Sequence, residues 1–127
     1  MQQVMVEDRR IETGQGEMLA RRWRHTDAKV QPPPILLFHD SLGSIGLWRQ
    51  FPETLARATG RDVIAYDRLG FGESDPRTGT LDNDFVRSEA EHIVPLLCAA
   101  LGIDRFVAFG HSVGGGMAVH CAALQLV

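Results

Sequence analysis

The sequence predicts an α/β fold: an N-terminal hairpin, then short parallel strands that alternate with helices. Three observations predict it. The runs Ile35-Leu36-Leu37-Phe38, Val63-Ile64-Ala65-Tyr66 and Phe106-Val107-Ala108-Phe109 are continuous, apolar and short. Runs of this kind belong to strands covered on both faces. Segments of helical spacing separate them, and strands that alternate with helices build parallel sheets with right-handed crossovers. Ahead of them, two polar-flanked strands face each other across a glycine turn.

The elements follow in order. Val6 to Thr13 and Glu17 to Arg24 flank the turn Gly14-Gln15-Gly16, where glycine supplies the positive φ a tight turn needs. Arg21, Arg22 and Arg24 read as the solvated face of the second strand. His25 to Gln31 reads as a polar loop, stiffened at its end by Pro32-Pro33-Pro34. The first apolar strand, Ile35 to Phe38, follows. Leu47 to Thr59 has helical spacing at Leu47, Phe51, Leu55 and Ala58, and Gly60 stops it. Asp62 to Tyr66 is the next strand. Arg68 to Thr80 is rich in Gly, Pro and Ser and reads as loop. Asp82 or Asn83 caps a helix to Leu101 whose apolar positions are Phe85, Ile93, Leu96, Leu97 and Leu101. Gly102 ends it, and Pro95 inside it predicts a kink. Phe106 to Phe109 is the third buried strand, and a last helix runs from about Val113 toward Val127. Ligands of open α/β sheets sit beyond the carboxyl ends of the strands. The loops that start at His39, Asp67 and Gly110 should therefore share one face.

Composition narrows the function. The 127 residues, 44% hydrophobic and 23% charged, fit a single soluble domain spanning 1–127. A chain of this length buries about two-thirds of its unfolded surface. A net charge of −3 offers neither a basic footprint for nucleic acid nor a polybasic patch for a membrane surface. Cys98 and Cys121 are too few for a disulfide scaffold, so a reducing, cytoplasmic setting is the expectation. Both read as small buried apolar residues. Met1 to Thr13 carries Glu7, Asp8, Arg9 and Arg10 and no apolar stretch of a secretory signal. Phe106 to Val127 lacks Asp, Glu, Lys and Arg and is long enough to span a bilayer. Its glycines, His111, Ser112 and His120 favour a buried strand followed by a buried helix instead. His39, His92, His111 and His120 have no metal-ligand spacing, and no cofactor is expected.

The chemistry centres on Gly110-His111-Ser112-Val113-Gly114, a G-x-S-x-G motif between a strand and a helix. A sharp strand-to-helix turn exposes the serine hydroxyl, and the flanking glycines let backbones approach. The helix N-terminus below it favours developing negative charge.

Three segments together resemble the α/β-hydrolase superfamily, in that family's order. They are His39-Asp40-Ser41-Leu42-Gly43-Ser44, Asp67-Arg68-Leu69-Gly70-Phe71-Gly72-Glu73-Ser74, and the elbow around Ser112. The resemblance implies a partial α/β-hydrolase fold that lacks the C-terminal strands. It implies Ser112 as nucleophile and the backbone N–H groups of Ser41 and Val113 as an oxyanion hole. His39 and Gly43 would shape the oxyanion loop, and Gly110, His111 and Gly114 the elbow. Asp67, Gly70, Gly72 and Ser74 would form a structural turn that braces the elbow. Asp40 stands where the family commonly has glycine, and an anion there would oppose charge in the hole unless it points away. Trp48, Phe71 and Leu42 are candidates for an apolar acyl pocket or for packing.

A serine needs a base, and the base an orienting acid. After Ser112 the sequence contains no Asp or Glu, and its one later histidine is His120. Eight residues along a helix, His120 lies roughly 12 Å away. His111 adjoins the serine but points elsewhere. The expectation is a serine hydrolase acting on a small ester, thioester or C–C bond, with acid and histidine absent from this chain, which is inactive alone. The uncharged tail and an unpaired edge at Phe106 to Phe109 suggest self-association or docking of a complementary half. A non-catalytic truncated chain is the alternative. A dinucleotide-binding module, from Gly110, Gly114 and Gly116, is weaker because no acidic residue follows.

Overall fold

The computed structural model describes residues 4–25, 32–77 and 83–124. The expected loop at 26–31, the end of the loop at 78–80, the cap candidate Asp82 and the last helix's end at 125–127 lie outside these. Strands β1 (Val4–Glu12) and β2 (Glu17–His25) form the hairpin. Thr13 N–H donates to the Gly16 carbonyl at 3.0 Å and closes its turn, with Gly14 at φ 86° and Gly16 at φ 139°. Strands β3 (Ile35–Phe38), β4 (Val63–Tyr66) and β5 (Val107–Gly110) follow, with helices α1 (Phe51–Thr59), α2 (Phe85–Ser88), α3 (Val94–Leu101) and α4 (Val113–Ala123) between and after them. The sheet order is β1-β2-β4-β3-β5. β3 runs parallel to β4 and β5, and β2 runs antiparallel to β4.

Alternation of side chains divides the core in two. Leu36, Phe38, Ile64, Tyr66, Met18 and Ala20 face α3 and α4. Ile35, Leu37, Val63, Ala65, Leu19 and Trp23 face α1. β3 and β4 are buried on both faces, as their unbroken apolar runs require. Cys121 is fully buried and Cys98 partly, and burial pushes their thiols up to about 12 and about 11.

Five expectations need correction. β5 starts one residue later and is not buried: Val107 and Phe109 are 43% and 42% exposed, because β5 is the sheet edge. The single helix from Leu47 is two pieces. A 3-10 turn spans Ile45–Trp48, and Arg49, at φ 54°, breaks the path before α1. The buried face of α1 is Pro52 and Ala56, not Leu47, Phe51 and Ala58, because small residues let the helix sit close to β2 and β4. The arginines of β2 are not a plain solvated face, since β2 is an interior strand. Arg22 pairs at 2.8 Å with Asp62, which is buried, while Arg21 and Arg24 pair with Asp8 and Glu7 of β1. The helix cap is Asp84, with no side-chain capping bond, rather than Asn83.

Pro95 is accommodated by a turn of π-helix at Glu89–Ile93. Val94 N–H reaches back five residues to the Glu89 carbonyl, and Pro95 then occupies the first turn of α3, where no N–H is needed. Phe106 to Val127 forms a strand and an 11-residue helix, and among the described residues no helix is long and apolar enough to cross a membrane.

The revised faces are testable by denaturation. Leu36→Ala, at a fully buried position, costs about 2–5 kcal/mol. Leu47→Ala, at a side chain 59% exposed, costs under about 0.5 kcal/mol. Equal losses would refute the assigned core.

Candidate active site

The parallel strands end at one face of the sheet, with Phe38 in register with Gly110. Three loops meet there. Their geometry follows from close backbone contacts that only certain residues permit.

The elbow runs from β5 into α4. Ser112 has φ 59° and ψ −119°. Gly114 N–H donates to the His111 carbonyl at 3.0 Å, so residues 111–114 form a turn of II′ geometry with Ser112 at the position glycine usually holds. Gly115 N–H donates to the Ser112 carbonyl at 2.9 Å and begins α4. A Cβ on Gly110 would lie 2.1 Å from the Gly114 carbonyl oxygen. A Cβ on Gly114 would lie 2.2 Å from that of Phe38. Both glycines are therefore required by backbone approach, and β3, β5 and α4 are locked together around the serine. Ser112 is exposed and makes no capping bond with its side chain. The backbone N–H groups of Val113 and Ser41 have no acceptor among the described residues.

The second loop follows β3. His39 is buried, with Nδ1 2.7 Å from the Asp40 carbonyl and Nε2 accepting the Arg68 N–H at 3.2 Å. These partners fix the neutral tautomer with the proton on Nδ1. Burial first, and the Arg68 charge second, lower the pKa of His39. Asp40 turns its carboxylate along the loop. Oδ2 lies 3.6 Å from His111 Nδ1, and Oδ1 occupies the space where Gly43 lacks a side chain, 2.5 Å from a Cβ placed there. Ser41 and Leu42 are exposed.

The third loop follows β4. The buried Asp67 accepts the Ile45 N–H at 2.6 Å on Oδ1 and the Glu73 N–H at 2.9 Å on Oδ2. Gly72, at φ 52°, has no room for a Cβ, which would lie 2.2 Å from Asp67 Oδ2. Gly70, at φ 91°, donates to the Asp75 carbonyl. Ser74 Oγ donates to the Asp67 carbonyl at 2.6 Å and accepts the Leu19 N–H at 2.8 Å. Among the described residues these bonds reach the 39–45 loop and β2. The turn thus ties the 39–45 loop to β2.

Arg68 was not singled out from the sequence as a site residue. It is 3% exposed and donates to the carbonyls of His39 and Asp40 at 2.6 and 2.7 Å. Its guanidinium also lies 5.0 Å from the centre of the Phe71 ring. The signal available was an arginine directly after a fully apolar strand, where a charge is buried only with partners. Behind it, Tyr66 donates to Glu89 at 2.6 Å, and burial raises the pKa of both groups. Phe71 packs on His39 and Arg68, and Leu42 is 83% exposed, so of the proposed acyl-pocket residues Trp48 alone borders the cleft. That cleft holds about 140 Å³ and is lined by residues of the 39–48 segment and by His111. His120 lies two turns into α4, partly buried.

The chain belongs to the alpha/beta hydrolase fold family, whose profile matches residues 33–125. Curated relatives include the 1-acylglycerol-3-phosphate O-acyltransferase ABHD5 of Homo sapiens, 37% identical over 90 residues. That match covers 67% of this chain and 24% of the relative. The sn-1-specific diacylglycerol lipase ABHD11 of Danio rerio is 30% identical over 99 residues, covering 78% of this chain and 30% of the relative. Among solved structures, a CIB-like hydrolase from Thermoplasma acidophilum superposes with a TM-score of 0.78 at 22% identity, over 96% of this chain and 58% of that one. The proline iminopeptidase of Mycobacterium smegmatis gives 0.76 at 26% identity, over 94% and 40%. The chain thus spans about a quarter of the length of the curated relatives it matches first, and covers part of the fold.

The buried histidine makes a pH prediction. The folded pKa of His39 lies below its unfolded value, so its contribution is complete above about pH 6.5. As pH falls from there through the folded value, the unfolded chain takes up a proton that the folded one does not, and stability drops. Urea titrations between pH 7.5 and 5 should show a steeper loss for the parent chain than for His39→Asn. Parallel curves would contradict the assignment.

Proposed function

We propose that the protein is a serine hydrolase that cleaves ester-type acyl bonds through an acyl-enzyme on Ser112. The observation that carries this reading is the backbone at Ser112, a non-glycine residue held at φ 59° on a strand-to-helix turn by two glycines that cannot be replaced. Strain of this kind costs about 1–3 kcal/mol and persists at sites where it presents a reactive group. Membership of the family supports it, as do relatives whose names describe lipases and an acyltransferase.

In the proposed reaction Ser112 Oγ attacks the substrate carbonyl, and its proton passes to a base. The oxygen becomes an oxyanion that the N–H groups of Ser41 and Val113 receive, with the α4 dipole adding to them. Collapse expels the alcohol, thiol or carbanion, which takes the proton, and water then releases the acid. Each donor contributes roughly 3–4 kcal/mol to the transition state. Asp67 and Arg68 hold the Ser41 loop in place through Ile45, His39 and Asp40. No Asp or Glu follows Ser112 in this sequence, and His120 lies two turns along α4 from it, so neither supplies the base.

A fluorophosphonate probe tests the reading. Labelling of the longer protein that contains this sequence should map to Ser112 and vanish in Ser112→Ala. The 127-residue chain alone should react orders of magnitude more slowly, because loss of a triad base costs up to about a millionfold. Labelling at another residue would overturn the nucleophile, and fast labelling of the short chain would overturn the missing base.

A further inference from the structure

We propose that Asp40 makes this site select by charge, admitting neutral or cationic acyl esters and disfavouring anionic ones. The proposal rests on the serine hydrolase reading and names the class of substrate for that site. Four observations carry it. Of the described residues lining the 140 Å³ cleft, Asp40 alone bears a fixed formal charge at neutral pH. Its carboxylate reaches toward the elbow, 3.6 Å from the ring of His111, the residue next to Ser112. Its main chain is clamped, because the Asp40 carbonyl accepts from Arg68 Nη2 at 2.7 Å, from His39 Nδ1 at 2.7 Å and from Gly43 N–H at 3.2 Å. Its side chain has a place made for it, since the missing Cβ of Gly43 leaves the room that Oδ1 fills.

The groups around Asp40 do not cancel it in the cleft. His39 is neutral and has both ring nitrogens engaged. Arg68 lies beneath the loop, buried at 3% exposure, donates to two main-chain carbonyls there, and its charge acts on the buried Glu89 as well as on Asp40. His111, 69% exposed, offsets Asp40 only when protonated. Among the described residues that line the cleft, an approaching anion therefore meets a carboxylate and no fixed cation. A partly exposed unit charge several ångströms away shifts the local concentration of a charged reagent by roughly five- to tenfold.

The test reads this field without needing catalysis. Ser112→Cys places a thiol at the nucleophile position. Its rate of modification is compared for two methanethiosulfonates, one bearing a trimethylammonium group and one a sulfonate. In each case the thiolate attacks the reagent sulfur, a mixed disulfide forms and methanesulfinate leaves. The parent chain, which keeps Cys98 and Cys121, supplies the blank. The cation-to-anion rate ratio should exceed that of a small thiol in solution and should fall roughly five- to tenfold in Ser112→Cys/Asp40→Asn. Ser112→Cys/Asp40→Ser should behave alike, which covers a failure of the first variant to fold. Ser112→Cys/Glu7→Gln, altered on the far edge strand β1, should keep the parent ratio. A ratio that moves less than twofold in both Asp40 variants overturns the proposal. Failure of the fluorophosphonate to reach Ser112 overturns the hydrolase reading instead, so the two outcomes are separable.

Discussion

The site depends on how closely α4 approaches the ends of β3 and β5. Gly110 and Gly114 lie where a single added carbon would collide with the main chain, at the Gly114 and Phe38 carbonyls respectively. Because the helix starts this near the sheet, the chain turns from strand to helix within residues 111–114, and Ser112 is forced to φ 59°. The exposed Ser112 and the start of α4 at Val113 both follow from that one contact. The strain at Ser112 is offset by core packing elsewhere, chiefly the fully buried Leu36, Ile64 and Met117.

A second layer of order comes from buried charge. Asp67 and Arg68 sit side by side at the end of β4, both nearly inaccessible, and their side chains bond to backbone groups of the 39–45 loop and of Glu73. Removing such groups from water is costly unless donors and acceptors are met, so the pair tolerates few arrangements of the 39–45 loop. The loop that offers Ser41 N–H is thereby rigid although Ser41 itself is exposed. Asp40 inherits this rigidity at its carbonyl while its carboxylate remains at the cleft.

The three-loop constellation was legible in the residues themselves. Unbroken apolar quartets marked β3 and β4, and G-x-S-x-G between a strand and a helix located the elbow. The glycines of the Asp67 to Ser74 turn sat where positive φ was required. What stayed hidden depended on neighbours distant in sequence. Arg22 gave no sign that it meets Asp62, because the β2–β4 pairing is a tertiary fact. The burial of Pro52 and Ala56 rather than Leu47 and Phe51 follows from the close seat of α1, which helical spacing cannot encode. At Phe106 the unpaired edge was legible, yet the apolar quartet reads as buried like its two predecessors, and the openness of Val107 and Phe109 is not in it. The orientation of Asp40 toward His111 likewise depends on a tertiary neighbour, with Oδ1 filling the space that Gly43 leaves.

The central claim is that packing, not preference, holds residue 112 in a glycine-type conformation. Equilibrium unfolding of Ser112→Gly against Ser112→Ala tests it most directly. Glycine ordinarily lowers stability relative to alanine by about 0.4–1 kcal/mol through the unfolded chain. Strain of about 1–3 kcal/mol at φ 59° reverses that order. The account predicts that the glycine variant is the more stable of the two by about 1 kcal/mol. An alanine variant equal to or more stable than glycine would contradict it.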